Sequence, residues 1–180
     1  MQERRYQADI ERLRAPERLA RLEVERVVQA CLEGITTRSV LDVGTGSGVF
    51  AEAFAAHGLE VSGVDVNPAM IEAAQRFVPA GHFHVAPAEV IPLPDHTFDL
   101  VFMGLVFHEV DDAAQALAEA KRVGRSRLAI LEWPYRAEEP GPPLAHRLPP
   151  ETIIAQAETA GFQQIETFPL NQLVLYRLSW

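Results

Sequence analysis

Apolar residues recur along this chain with two different periods, which predict helices and strands in turn. Residues 24–31 carry apolar side chains at every third or fourth position, a stripe that predicts one helix from Pro16 to Gly34. Further on, short β-branched runs alternate with alanine-rich amphipathic segments, an order typical of parallel strands joined by helices. The predicted strands cover residues 40–43, 60–65, 82–86, 98–103 and 127–132.

The C-terminal part of the chain departs from that alternation. Residues 133–150 hold six of the thirteen prolines, and a loop of this length and stiffness predicts a cap over a substrate. After a predicted helix at 151–160, residues 162–168 and 173–178 alternate in polarity, which predicts an antiparallel hairpin. The pattern therefore predicts an α/β protein with one mostly parallel sheet.

Length and charge narrow the range of partners. The chain has 180 residues and a formal net charge of −9, which predicts one domain over residues 1–180 with a leading helical segment at 1–34. Nucleic acid phosphates and anionic membranes repel such a protein. The N-terminus has no secretory pattern and no apolar run is long enough to span a membrane, so we expect a cytoplasmic protein with a small-molecule substrate. Monomer and homodimer both stay open.

Three glycines at alternate positions mark the first turn of this pattern as a ligand site. Gly44, Gly46 and Gly48 follow the first strand and precede a helix, where bare backbone can approach a bound molecule. A dinucleotide fingerprint needs its third glycine one residue later, and Asp42 would repel a pyrophosphate. The spacing therefore favours a positively charged ligand, with a dinucleotide as the competing interpretation.

The stretch Asp42-Val-Gly44-Thr45-Gly46-Ser-Gly48 resembles the first motif of the class I S-adenosylmethionine-dependent methyltransferases, most closely the small-molecule group of the ubiquinone and menaquinone biosynthesis type. The resemblance runs from about residue 40 to residue 130. It implies a Rossmann-like three-layer sandwich with a seven-stranded, mostly parallel sheet of order 3-2-1-4-5-7-6, in which strand 7 is antiparallel. It also implies S-adenosylmethionine as the cofactor and S-adenosylhomocysteine as its product.

Several residues are candidates for holding that cofactor. Asp65 ends the second strand about twenty residues beyond the glycine turn, where a carboxylate can accept both hydroxyls of a ribose. The resemblance implies adenine contacts near Ala88, but Pro87 stands where the family has an aspartate, which leaves Glu89 as the substitute acid. The candidate set is Asp42, Gly44, Thr45, Gly46, Gly48, Asp65, Val66, Ala88, Glu89, Met103 and Gly104.

The acceptor side is predicted from the segments that follow the fourth and fifth strands. The resemblance places a histidine at His108, which would act as a base, although a histidine that holds loop backbone fits equally well. Glu132 and His146 are further candidate bases. We predict no metal, since His82 and His84 share a strand face without a third ligand. The predicted acceptor pocket contains Tyr6, Arg14, Trp133, Tyr135 and Arg147.

Together these features predict in-line transfer of a methyl group to an oxygen, nitrogen or carbon atom of a small molecule, a reaction in which positioning matters most. Two alternatives stay open. One is a regulatory module that binds S-adenosylmethionine or S-adenosylhomocysteine without turnover. The other is an NAD-dependent oxidoreductase, against which Asp42, Val49 and the C-terminal hairpin argue.

Overall fold

The computed structural model describes residues 10–180, which contain one seven-stranded sheet. In chain order the strands are β1 Ser39–Val43, β2 Glu60–Asp65, β3 His82–Val85, β4 Phe98–Gly104, β5 Gly124–Glu132, β6 Gln164–Pro169 and β7 Val174–Ser179. Their order across the sheet is β3-β2-β1-β4-β5-β7-β6, so the predicted order is confirmed. Strands β1 to β5 pair in parallel, whereas β7 runs antiparallel to both β5 and β6.

Helices cover both faces of this sheet. Within the described residues they are α1 Ile10–Leu13, α2 Pro16–Leu22, α3 Val24–Leu32, α4 Val49–Ala56, α5 Pro68–Phe77, α6 Ala113–Val123 and α7 Pro150–Thr159. Successive side chains of a strand point to opposite faces, and the central strands are apolar on both. One face packs against α6 and α7 and the other against α3 and α4, so the predicted three-layer sandwich is confirmed.

The single helix predicted from Pro16 to Gly34 is wrong, because the chain breaks at Glu23 into α2 and α3. Glu23 has a left-handed backbone with φ 47°, which costs about 1 kcal/mol in a residue other than glycine. Its carboxylate accepts hydrogen bonds from the backbone and the side-chain amide of Asn171, in the turn between β6 and β7. A contact with a segment far along the chain therefore offsets the local strain.

Two buried arginines of the sheet hold the C-terminal end of α3. Arg127 donates to the carbonyl oxygens of Cys31 and Glu33 at 2.8 and 2.7 Å, and Arg177 donates to that of Ala30 at 2.9 Å. The last carbonyls of a helix have no partner within the helix and carry partial negative charge. The two guanidinium groups therefore cap α3 and fix it on the sheet.

Other predicted element bounds agree with the structure to within a few residues. Helix α5 has the predicted bounds, and the Asn67 side chain caps it by accepting from the Ala69 N–H at 3.0 Å. Strand β5 begins at Gly124, three residues before the predicted start. No helix in residues 10–180 is both long and apolar enough to cross a bilayer.

Candidate functional site

Hydrogen bonds to β2 hold the glycine turn in place after β1. The N–H groups of Gly44 and of the residue after it donate to the Val64 carbonyl oxygen at 2.8 and 3.0 Å. The φ angles of Gly44, Gly46 and Gly48 are 68°, 53° and 78°, a region that other residues rarely adopt. A Cβ on Gly48 would lie 3.0 Å from the Ala74 Cα in α5. The turn leaves Gly44 and Gly46 partly exposed just before α4.

Two carboxylates lie against this turn. Asp42 is only 2% exposed, and its Oδ2 accepts from the Thr45 hydroxyl at 2.8 Å. Asp65 is partly exposed, and its two oxygens accept from the N–H groups of Gly46 at 2.8 Å and Asn67 at 2.9 Å. Burial raises the pKa of Asp65 above its usual range. Asp42 thus lies beneath the turn, and Asp65 links the turn to the end of β2.

The loop predicted to meet an adenine ring follows β3. Ala88 is 7% exposed and Val66, beside Asp65, is 40% exposed. Glu89 Oε1 accepts from the N–H groups of Asp111 at 2.8 Å and Asp112 at 3.2 Å, which fastens this loop to the start of α6. This contact competes with the predicted contact between Glu89 and adenine.

The chain just after β4 supplies a wall of the site that the sequence did not reveal, beyond the predicted candidates Met103 and Gly104. Met103 is fully buried, and after Gly104 the chain turns at Leu105, whose φ is 58°. That turn places Val106 over the glycine turn, since a Cβ on Gly44 would lie 2.5 Å from the Val106 Cγ2. Neither Leu105 nor Val106 is of a residue type that signals a left-handed turn, so no sequence motif could have indicated this contact.

His108 and Glu132 form a buried pair at the adjacent carboxyl ends of β4 and β5. The Nδ1 atom of His108 lies 2.9 Å from both carboxylate oxygens of Glu132. Glu132 Oε1 also accepts from the backbone N–H of His108 at 3.0 Å, and Oε2 accepts from that of Trp133 at 3.1 Å. Glu132 therefore orients the imidazole and leaves Nε2 for another partner. The structure brings together these two candidates.

Three neighbouring charged side chains shift the pKa of the His108 imidazole. Burial disfavours its charged form, but the charge and hydrogen bond of Glu132, together with Glu109, outweigh burial and raise the pKa of His108 above its ordinary value. The Glu109 carboxylate lies 3.7 Å from Nε2. The Arg147 guanidinium acts in the opposite direction. The arrangement is that of a base held by a carboxylate.

Arg147, a predicted member of the acceptor pocket, is bonded within its own loop. It is 4% exposed, and its guanidinium is used to hold the proline-rich loop at 133–150 together. A substrate would have to break the hydrogen bonds that this guanidinium makes within the loop in order to reach its positive charge. The guanidinium donates to four carbonyl oxygens of the same loop, those of Pro134, Glu138, Pro140 and Pro142.

The other candidates of this loop differ in exposure. Trp133 is partly buried, with the Arg147 guanidinium 5.5 Å from its ring centroid, and it follows directly after Glu132. Tyr135 is 47% exposed. His146 is exposed on a short 3₁₀ helix, and no hydrogen bond described for the chain joins its ring to the His108–Glu132 pair. Trp133 is thus the candidate that lies beside the pair.

The start of the described chain packs against the glycine turn. Arg14, a predicted pocket residue, donates to the Ser47 carbonyl oxygen at 2.8 Å and pairs with Glu52 of α4, contacts that anchor the turn. Leu13 is buried and would lie 3.9 Å from a Cβ on Gly46. The candidate Tyr6 lies outside the described residues.

The residues around the turn suit a cationic, polar ligand. Neither Asp42 nor Asp65 has a salt bridge within residues 10–180. The Ser47 hydroxyl is buried and has no hydrogen-bond partner in the described structure. Buried polar groups are normally paired, so these atoms point to a ligand that supplies a positive charge and hydrogen-bonding groups. S-adenosylmethionine carries both.

Comparison with known proteins agrees with this geometry. Residues 41–127 match the family model described as a methyltransferase domain. The chain is 36% identical over 92 residues to the malonyl-[acyl-carrier protein] O-methyltransferase of Serratia marcescens, across 51% of this chain and 36% of the relative. It is 35% identical over 113 residues to the demethylmenaquinone methyltransferase of Thermotoga maritima, across 60% of this chain and 48% of the relative. The chain thus spans less than half of either relative.

Among solved structures, a methyltransferase from Aquifex aeolicus described as S-adenosylmethionine dependent matches with a TM-score of 0.81 and 27% identity. The match covers 94% of this chain and 95% of that one. Fold and glycine turn together define an α/β domain built to bind an adenosyl cofactor. Over residues 41–127 the chain matches the methyltransferase-domain family, its fold is that of the class I S-adenosylmethionine-dependent methyltransferases, and the cofactor that these comparisons imply is S-adenosylmethionine.

Proposed function

We propose that this chain transfers a methyl group from S-adenosylmethionine to a small molecule, with His108 as the base that takes the acceptor's proton. The observation that carries the proposal is the buried His108–Glu132 pair, in which His108 follows by two residues the Val106 that packs over Gly44. Acceptor atoms that qualify are oxygen, nitrogen or an acidic carbon, all of which lose a proton as they are methylated. Our expectation of a small acceptor in the cytoplasm draws support from the net charge of −9.

Each side chain has a defined task in this reaction. The cofactor supplies an electrophilic methyl group on a sulfonium that leaves as a neutral thioether. Glu132 keeps Nδ1 of His108 protonated, so that Nε2 presents its lone pair to the acceptor. Val106 and the loop at 133–150 exclude water from the space between the glycine turn and Nε2, and they orient the acceptor for in-line attack.

Two alternative functions fit this site less well. A module that binds the cofactor without turnover has no need of an oriented base, and an oxidoreductase would hold a dinucleotide. The glycine turn lacks the dinucleotide spacing, and the antiparallel β7 belongs to the methyltransferase sheet. Specific support for either alternative is therefore missing among the described residues. The proposal can be tested directly with purified protein.

The test measures S-adenosylhomocysteine formation with panels of phenols, catechols, amines and quinols. With the best acceptor, His108→Gln should lower kcat by about 10²- to 10⁴-fold, the usual contribution of a general base, and leave the cofactor Kd unchanged. The matched control is His57→Gln, at the end of α4 and three residues before β2 begins, which should retain full activity. Cofactor binding without product from any acceptor would overturn the proposal, as would an unchanged kcat in His108→Gln.

A further inference from the structure

The carboxylate of Asp42 is buried without a cation. Its side chain is 2% exposed, accepts from the Thr45 hydroxyl at 2.8 Å and is also stabilised by the Ala51 backbone N–H. No salt bridge to Asp42 occurs in the described part of the chain. An unpaired buried charge is costly, and such a group takes up a proton instead.

The elements packed around Asp42 supply little positive charge. Strand β2 contributes Asp65, a second anion. Strand β4 places apolar Phe102 and Met103 opposite the end of β1. Beyond α4, the cation of Arg14 is already engaged by Glu52 and by the Ser47 carbonyl oxygen.

The pKa of Asp42 reflects these surroundings. Burial raises it most, the Thr45 hydrogen bond lowers it, and the charge of Asp65 raises it again, to about 7. Asp65 is better stabilised, because each of its oxygens accepts a backbone N–H. Of the two, Asp42 is therefore the acid that is protonated near neutral pH.

We propose that Asp42 releases its proton to solvent when the positively charged cofactor binds, so that it selects ligands by charge. The inference rests on the cofactor assigned in the proposed function and adds a specificity-determining residue to that site. Below neutral pH a cationic ligand has to displace a proton in order to bind, and its affinity falls by up to about tenfold per pH unit. A neutral adenosyl ligand finds no such penalty.

The experiment is calorimetric titration in two buffers with different ionisation enthalpies, which counts the protons released on binding. The ligands are S-adenosylmethionine and neutral 5′-methylthioadenosine. For S-adenosylmethionine we expect release of about half a proton at about pH 7, more at about pH 6 and almost none at about pH 8.5. For 5′-methylthioadenosine we expect no release.

Three variants assign the proton to Asp42. Asp42→Asn keeps an acceptor for the Thr45 hydroxyl and should abolish the proton release that comes from residue 42. Any protons that the amino group of the ligand releases are the same in this variant and in the wild type, so subtracting one titration from the other removes them. Asp65→Asn tests the neighbouring charge: at ligand concentrations that saturate its weakened ribose site, it should still release a proton but with a midpoint at lower pH, because a neighbouring anion is gone. Thr45→Val should move the midpoint to higher pH, and it serves if Asp42→Asn fails to fold.

The possible failures can be told apart. If S-adenosylmethionine does not bind at any pH, the proposed function fails and this inference fails with it. If it binds with no proton release, with equal release for the neutral ligand, or with release that persists in Asp42→Asn, only the inference is overturned. An unshifted midpoint in Thr45→Val would overturn it as well.

Discussion

The Glu132 carboxylate shows how one residue can organise an acceptor site. It accepts from the ring and the backbone of His108 and from the backbone N–H of Trp133. Orientation and basicity of the imidazole therefore both depend on it, the first through hydrogen bonds and the second through charge.

The pH dependence of catalysis follows from this pair. His108 acts as a base only when neutral, and its pKa is raised, so kcat should rise with pH and level off above the ordinary histidine value of about 6.5. Glu132→Gln removes the charge and should move the midpoint to lower pH, while poorer orientation lowers the plateau by about 10- to 100-fold. The measurement is a pH profile of S-adenosylhomocysteine formation, and a midpoint that stays in place in Glu132→Gln would contradict the assignment.

Much of the site could be predicted at this scale, since glycines, acids and a histidine at strand ends carry recognisable chemistry. Asp65 ends β2 against the glycine turn, as its spacing indicated, and His108, a candidate that the resemblance supplied, lies against Glu132. The contacts of Arg147 within its own loop could not be predicted, because a charged residue in a loop predicts solvent or ligand contact, whereas here it meets carbonyl oxygens of that loop. Such partners depend on how the loop folds and leave no pattern in the sequence.

At the scale of elements, the proline-rich loop is fixed by contacts at both ends. Glu132 holds the N–H of Trp133 where the loop leaves β5, and Arg147 binds four carbonyl oxygens before α7 begins. The break between α2 and α3 at Glu23 is a comparable case, because Asn171 supplies the partner from the other end of the chain. Local sequence does not report contacts of this kind.

Loss of the Arg147 contacts should loosen the loop. A lysine has three donors on a compact ammonium and cannot reach four carbonyls at once, so we expect Arg147→Lys to destabilise this loop by about 2 kcal/mol. Limited proteolysis should then cleave within residues 134–146, and KM for the acceptor should rise while the cofactor Kd stays the same.

The control for that variant is Arg136→Lys, on the same loop, where the arginine forms an exposed pair with Glu138. Its proteolysis pattern and KM should match those of the wild type. Equal protease resistance in Arg147→Lys and the wild type would show that the loop does not depend on the clamp, that is, on the four hydrogen bonds of the Arg147 guanidinium.

For the whole molecule, hydrophobic periodicity was enough to predict the alternation of strands and helices and the final hairpin, whereas the order of the strands was predicted from the resemblance to the methyltransferase family. The contact of Val106 with Gly44 could not be predicted, because it depends on a turn at Leu105, and leucine does not signal a left-handed backbone. Packing across strand ends is decided by the assembled sheet.

Stability of the ligand-free protein should reflect the burial of Asp42. Its folded pKa is about 7, above that of an unfolded aspartate, so the folded state is favoured while the group is protonated and loses stability as pH rises from about 4 to about 7. Asp42→Asn should therefore have little effect at about pH 4 and raise stability at about pH 8, a difference on the order of 3 kcal/mol. Denaturant unfolding of the wild type and of Asp42→Asn tests this. The difference between their free energies of unfolding cancels the contributions of the other titrating groups. Equal differences at both pH values would refute it.

The clamp formed by Arg147 has a consequence for divergence among related proteins. Its partners are main-chain carbonyls, which every amino acid possesses, so substitutions between 135 and 146 leave the clamp intact. Gly141 is the exception, because a Cβ there would lie 2.7 Å from an Arg147 nitrogen. The loop can thus accept new side chains at its exposed positions and keep the hydrogen bonds that fold it, so its surface chemistry is separable from its shape.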